Sequence, residues 1–204
     1  MLCKRKFALI LTLLFSTLLL SACSESASKK TVSEFLTAYQ ENNQSTMDTL
    51  TKDPGKWGSP YVIQGLPESI ISKYHAFFVD FKYTIEREEF IGNKANVYVK
   101  MTYQDAGTPS IKAFNDYQTK AGEMNFSGSN HEQIMSLLED TFATALSAKL
   151  EPVEETIVVA LERSEDEKWK IVTSDEFQNA LTSNMGVMVA AIEELLTTIG
   201  TTGE

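Results

Sequence analysis

The chain reads as an α+β domain: a curved antiparallel sheet with helices packed on one face in a cone-like arrangement, a helical insert between two hairpins, and a C-terminal helix. Three observations predict this class. Apolar residues recur at helical spacing from Val32, the period changes to two at Phe81 and again at Thr156, and each pair of alternating runs is joined by a short turn. Blocks of helices separated by hairpins bury their apolar surfaces as helices laid on one side of an antiparallel sheet.

In chain order, Thr31 and Glu34 have the spacing of a capping box, which predicts a first helix whose face carries Val32, Phe35, Leu36 and Tyr39. Residues Ser45 to Leu50 predict a short second helix, ended by Asp53-Pro54-Gly55, and the stretch through Trp57 and Tyr61 to Gly65 reads as loop. A helix follows Leu66-Pro67, with Ile70, Ile71, Tyr74, Phe77 and Phe78 as its apolar side. Phe81, Tyr83 and Ile85 then alternate with polar residues, and Ala95, Val97, Val99, Met101 and Tyr103 do the same after Gly92-Asn93, which predicts a hairpin with one buried face. Thr108-Pro109 starts a helix through Ile111, Phe114 and Tyr117, and a loop from Gly122 to Ser129 separates it from another. That next helix has the Ser129–Glu132 capping spacing and the stripe Ile134, Leu137, Leu138, Phe142 and Leu146. Thr156 to Arg163 and Lys168 to Thr173 form a second hairpin across the acidic turn Ser164-Glu165-Asp166-Glu167. A last helix is expected from about Met185, with Met188, Ile192, Leu195, Leu196 and Ile199 on one face.

Ahead of the domain lies a targeting segment. The basic cluster Lys4-Arg5-Lys6 precedes an uncharged, apolar run from Phe7 to Leu20, too short and wrongly flanked for a lasting transmembrane helix. Leu20-Ser21-Ala22-Cys23 closes it with an apolar residue, two small residues and a cysteine, a pattern similar to the lipobox of bacterial lipoproteins. Small side chains let a peptidase reach the backbone, and the thiol is the group able to carry a diacylglycerol thioether. The expected division is therefore a signal peptide over 1–22, a tether over 23–30 and a single domain over 31–204, anchored to a membrane through lipid on Cys23.

Composition narrows the partners. Cleavage before Cys23 leaves 182 residues, the length of one ordinary domain, with 15 basic against 28 acidic residues and a net charge of −13. Such acidity argues against a nucleic-acid partner. Cys3 lies in the discarded segment, so apart from the acylated Cys23 the mature chain has no thiol for a disulfide, a metal site or nucleophilic catalysis.

The opening helix Val32 to Tyr39, the hairpin Phe81 to Tyr103 and the closing strand Trp169-Lys170-Ile171, taken with the lipobox, resemble the small Gram-positive lipoproteins built on the nuclear-transport-factor-2-like, or cystatin-like, cone. The resemblance implies a curved sheet wrapped around a long helix, with an apolar pocket between them. The helical insert and the additional C-terminal helix depart from the simplest form of that pattern, and either is able to fill or lid the pocket. No catalytic residue carries over.

The search for chemistry is short. Only two histidines exist, His75 within an aromatic helix and His131 at a helix start, and neither has metal-ligand spacing to a carboxylate. The carboxylate groups Glu86-Glu88-Glu89, Glu154-Glu155 and Glu165-Asp166-Glu167 lack the spacing of a calcium loop and read as solvated strand ends and turns. Asp105 ends the second strand, where enzymes of the resembled superfamily sometimes keep an acid. Trp57 and Tyr61 are the candidate ligand-contacting residues, because they lie in a Pro/Gly loop where recognition residues tend to sit. No catalytic residue, metal or cofactor is expected. The expected function is a non-enzymatic binding or scaffold module on the extracytoplasmic face of the cell membrane, holding a small apolar ligand, a cell-wall fragment or an envelope protein. The alternatives are a small pocket enzyme of the isomerase or hydrolase type with Asp105 as base, recognisable by a carboxylate and a tyrosine converging in an enclosed pocket, and an assembly partner that acts through the helical insert.

Overall fold

A computed structural model describes residues 26–55, 67–126 and 130–190. The helices are α1 (Ala27–Gln40), α2 (Gln44–Leu50), α3 (Glu68–Val79), α4 (Gly107–Phe126), α5 (His131–Ser147) and α6 (Asp175–Leu181). The strands are β1 (Lys82–Ile91), β2 (Lys94–Gln104), β3 (Pro152–Arg163) and β4 (Trp169–Ile171), forming one four-stranded antiparallel sheet in the order β1-β2-β3-β4. The predicted α+β class and the open, curved sheet are both present.

The two faces of the sheet separate by alternation. Ala95, Val97, Val99, Met101 and Tyr103 of β2 and Ile157, Val159 and Leu161 of β3 are buried on the covered face, while the residues between them are not. Packed over the covered face is α1, whose buried stripe includes Val32, Phe35, Leu36 and Tyr39 and which meets β1, β2 and β4. Its course along β1 is fixed by polar contacts: Ser26 and Ser28 donate to Glu88, the Ser33 and Tyr83 hydroxyls lie 3.3 Å apart, and Gln40 Nε2 donates to the Phe81 carbonyl. The helix therefore begins beside the β1–β2 turn and ends at the start of β1.

Several boundaries differ from the sequence expectation, each for an identifiable reason. The first helix starts at Ala27 rather than Thr31, because the Ser26 hydroxyl caps it and the buried Ser28 anchors its first turn to Glu88. Residues 27–30, expected as tether, thus belong to α1. Helix α4 passes through Gly122 to Phe126; a mid-helix glycine costs about 1 kcal/mol, and α4 packs side by side with α5, burying Ala121 beside it. The cap of α5 is Asn130, in a capping box with Gln133, and not Ser129, which lies outside the described residues. Helix α6 was not anticipated, although Ser174 caps it and Asp175 and Glu176 occupy its first turn. Beyond it the backbone is helical again over 186–190, and Met185 and Met188 are buried; Ile192, Leu195, Leu196 and Ile199 lie outside the described residues.

A bulge between Ile85 and Arg87 resets the alternation of β1. Before it Tyr83 and Ile85 face the helices; after it Glu88 and Phe90 do, opposite Val97 and Ala95, while Arg87 and Glu89 turn outward. Without that extra residue, two charges would point at the core.

The α4–α5 insert leaves from the end of β2 and returns to the start of β3. Its root is held by a buried network in which the Tyr74 and Ser110 hydroxyls meet at 2.6 Å and Ser110 donates to the Ala106 carbonyl. Burial pushes the Tyr74 phenol up to about 12. The backbone amides of Ala106 and Gly107 both donate to the Ser183 carbonyl, and a Cβ on Gly107 would lie 1.9 Å from the Asn184 carbonyl oxygen. Only glycine admits this approach.

Candidate functional site

The proposed lipid-bearing Cys23 and the loop residues Trp57 and Tyr61 lie outside the described residues. The remaining sequence candidates can be placed. His75 is half-buried on α3, and His131 is exposed at the first position of α5, beside the Asn130 cap. Among the described residues no group of three His, Cys, Asp or Glu side chains is arranged to hold a metal ion, and no helix is long and apolar enough to cross a membrane.

Most of the acidic groups are tied to neighbours. Glu154 pairs with Lys100 at 2.8 Å, raising the lysine above its ordinary value through the hydrogen bond and the opposite charge. Glu162 lies between Lys52 and Lys94, whose ammonium groups bring its carboxyl down to about 2. Hydrogen bonds from Tyr98 and then Arg87 lower Glu89, and the Arg87 guanidinium lies 3.3 Å over the Tyr98 ring. Glu88 departs from the expectation of solvated carboxylates, since it faces the helices and takes the two serine hydroxyls.

Asp105 serves structure at the root of the insert. Its Oδ1 accepts the Thr108 amide at 3.0 Å and the Asn184 side-chain amide at 3.1 Å, and its Oδ2 accepts the Thr108 hydroxyl at 2.7 Å. Both oxygens of the Asp105 carboxylate are thus engaged in holding the start of α4 and the segment at Asn184. On the covered face the carboxylate that meets a tyrosine is Glu155, which accepts from the Tyr103 hydroxyl at 2.5 Å. Register places Tyr103 opposite Val153 and Glu155 opposite Met101, so the two side chains join diagonally across β2 and β3. Burial, then the bond to Glu155 and the charge of Asp105, push the phenol well above its usual range. The pair braces the strands from the covered face, where Tyr103 is buried.

Between α1 and the sheet, where the cone-like resemblance implies a pocket, the described side chains close on one another. Phe35, Leu36, Val97, Val99, Ile157 and Phe177 are 0% exposed. A side chain bordering a water-sized cavity keeps some accessible surface, and these keep none. Closure comes from the C-terminal part of the chain: the Phe177 ring lies 5.7 Å from that of Phe35, and the Tyr39 hydroxyl donates to the Leu181 carbonyl at 3.2 Å. Thus α6 packs its side chains against α1 on the covered side of the sheet.

Concave surface is found instead on the insert. A groove of about 550 Å³ runs between α4 and α5, within the size range of small-molecule and peptide sites. Lys112, Asp116 and Lys120, four residues apart, supply one wall from α4, and Asp140, Thr141 and Thr144 supply the other from α5. Pro109, Ala113, Leu137, Ala145 and Ala148 give it an apolar floor, where the alanines leave the room that larger side chains would fill. Two ammonium groups and a carboxylate on the α4 wall, with Asp140 on the other, over apolar carbon suit a ligand with both charges and an apolar part, such as a peptide segment. The sequence marked this insert as a place to look for an interaction surface, but the groove depends on which turns of two separate helices are level, which no local pattern records. Compared with protein-family models, with curated proteins and with solved structures, the chain has no match.

Proposed function

We propose that this protein is a lipoprotein held on the extracytoplasmic face of the cell membrane by lipid on Cys23, and that it acts there as a non-enzymatic binding module of the nuclear-transport-factor-2-like, cystatin-like kind. The observation that carries the anchoring is the segment Leu20-Ser21-Ala22-Cys23, placed directly after a basic cluster and an apolar run and three residues before the capping residue Ser26 of the folded domain. A binding role is favoured over catalysis because Tyr103 and Glu155 are used on each other and Asp105 is used as a cap. Among the described residues the α4–α5 groove is the surface best shaped for a partner, and its mixed charge and apolar floor favour an extended peptide of an envelope protein over a purely apolar small molecule. The resemblance supports the cone-like fold, while the filled interior moves the expected contact surface from the cone to the insert.

The anchor is tested by feeding labelled fatty acid to cells that express the full chain. Label should enter the wild-type protein and be absent from Cys23→Ala; equal incorporation in the variant refutes the anchor. For the binding role, a photoreactive residue at Lys112 should crosslink envelope protein in cells, and Thr144→Trp, which places a large ring in the groove from an exposed position, should abolish the crosslink. Crosslinking that is indifferent to Thr144→Trp rejects the groove.

A further inference from the structure

Among the described residues, two of the three exposed large hydrophobic side chains, Phe90 at 55% and Ile91 at 66%, are adjacent, at the end of β1 and just before the turn residues Gly92-Asn93. We infer that this hairpin tip seats in the lipid bilayer beside the acyl anchor and sets the domain's orientation on the membrane. This rests on the anchoring reading above.

The geometry brings tip and anchor to one level. Helix α1 lies along β1 in the opposite direction, with Ser26 at Glu88, Ser33 at Tyr83 and Gln40 at Phe81. The lengths agree, because fourteen helical steps from Ser26 to Gln40 and seven strand steps from Glu88 to Phe81 each span a little over 20 Å, at about 1.5 Å and 3.3 Å per residue. The N-terminus of α1 is thus directed to the tip end of the sheet. From Ser26 back to Cys23 there are three steps, a reach of at most about 11 Å, and from Glu88 on to Ile91 there are also three, about 10 Å of strand. A bilayer that holds the acyl chains of Cys23 therefore lies within reach of Ile91.

The chemistry at this end suits the interface of a bilayer. The Phe90 ring packs 5.9 Å from that of Trp169, across the small Ala95 and beside Leu161, and the Arg163 guanidinium lies 4.9 Å from the Trp169 ring. An exposed aromatic ring beside a second ring with a cation over its face matches the boundary between acyl chains and headgroups. The neighbouring β3–β4 turn is acidic, but Asp166 pairs with Lys168 at 2.8 Å and Glu167 with Arg163 at 3.1 Å, leaving that end weakly charged. Insertion is driven by apolar contact and not by attraction to anionic lipid. The α4–α5 insert, rooted at the opposite end of β2 and β3, then faces away from the membrane.

With Cys23 acylated, the mature chain carries no free thiol, so Ile91→Cys and Lys149→Cys each offer one labelling position, the second at the far end beside Glu151. Both are expressed as the full lipoprotein, labelled with an environment-sensitive fluorophore and reconstituted in phosphatidylcholine vesicles with and without phosphatidylglycerol. Nitroxide-bearing lipid should quench the probe at 91 several-fold more than that at 149, aqueous iodide should show the reverse order, and phosphatidylglycerol should not strengthen the effect. Equal iodide quenching at both positions, in protein that floats with the vesicles and requires Cys23 to do so, overturns the tip inference and leaves the anchor intact. Shielding from iodide without quenching by lipid assigns the tip to a contact with a second copy of this chain and also overturns it. Loss of flotation overturns the anchoring reading together with this one.

Discussion

The two faces of the sheet are held by different physics. On the covered face, Val97, Val99, Ile157 and Val159 are 0% exposed and meet helices whose large side chains, Phe35 and Phe177 among them, are equally enclosed. On the outer face Tyr98, Lys100, Glu154 and Glu162 remain partly or largely solvated and interact through rings and ion pairs. Burial of apolar surface scales with area and is insensitive to salt, whereas exposed ion pairs are screened and contribute little. The comparison teaches that stability resides on one side of the sheet, leaving the other side free to vary.

The largest expected effect tests the covered face. Phe35→Ala removes a ring packed against Tyr39 and Phe177 and should destabilise the domain by about 3–5 kcal/mol in urea unfolding. An unchanged midpoint would show that α1 is not seated on the sheet. Next is Ser28→Ala, which deprives the inward-facing Glu88 of one of its two serine donors and should cost about 1–3 kcal/mol; a negligible change would mean that water replaces the hydroxyl and that α1 is not tied down at the tip.

Smaller effects belong to the outer face. Lys100→Ala should cost far less than either change on the covered face, with the loss shrinking further at high salt and falling in a Glu154→Ala background. A cost comparable to that of Phe35→Ala would erase the difference between the faces. The smallest signal is a titration. Lys52 and Lys94 hold Glu162 at about 2 against an ordinary 4.5, so its contribution is complete above about 4.5 and disappears as the pH falls through about 2. Carboxyl NMR should find that low midpoint in the wild type and a rise toward 4.5 in Lys94→Ala.

Phe90 and Glu88 show where reading the sequence stops. Alternation from Tyr83 and Ile85, carried forward, would turn Arg87 and Glu89 inward, and the bulge that reverses this is not encoded by any turn residue. The start of α1 was misread for a related reason: Thr31 and Glu34 have the cap spacing, but Ser26 is the cap, because Ser28 finds Glu88 some sixty residues away. The candidate groove was legible only as a helical insert. Its walls depend on the relative level of α4 and α5, set at the root by Tyr74, Ser110 and Ser183.

What the sequence by itself determined was most of the elements and the buried sides of α1, β2 and β3, since the periods of 3.6 and two are local properties of the backbone that any apolar surface must obey. It also supplied the segment ending in Cys23, whose reading depends on the order of residues and not on any fold. Only the tertiary structure decided what occupies the space between α1 and the sheet. Phe177 and Leu181 close on α1 from more than a hundred and thirty residues along the chain, and no local pattern distinguishes an apolar residue that covers a pocket from one that fills it. That choice is made by the close packing of distant segments, in which a void is disfavoured and a nearby ring removes it.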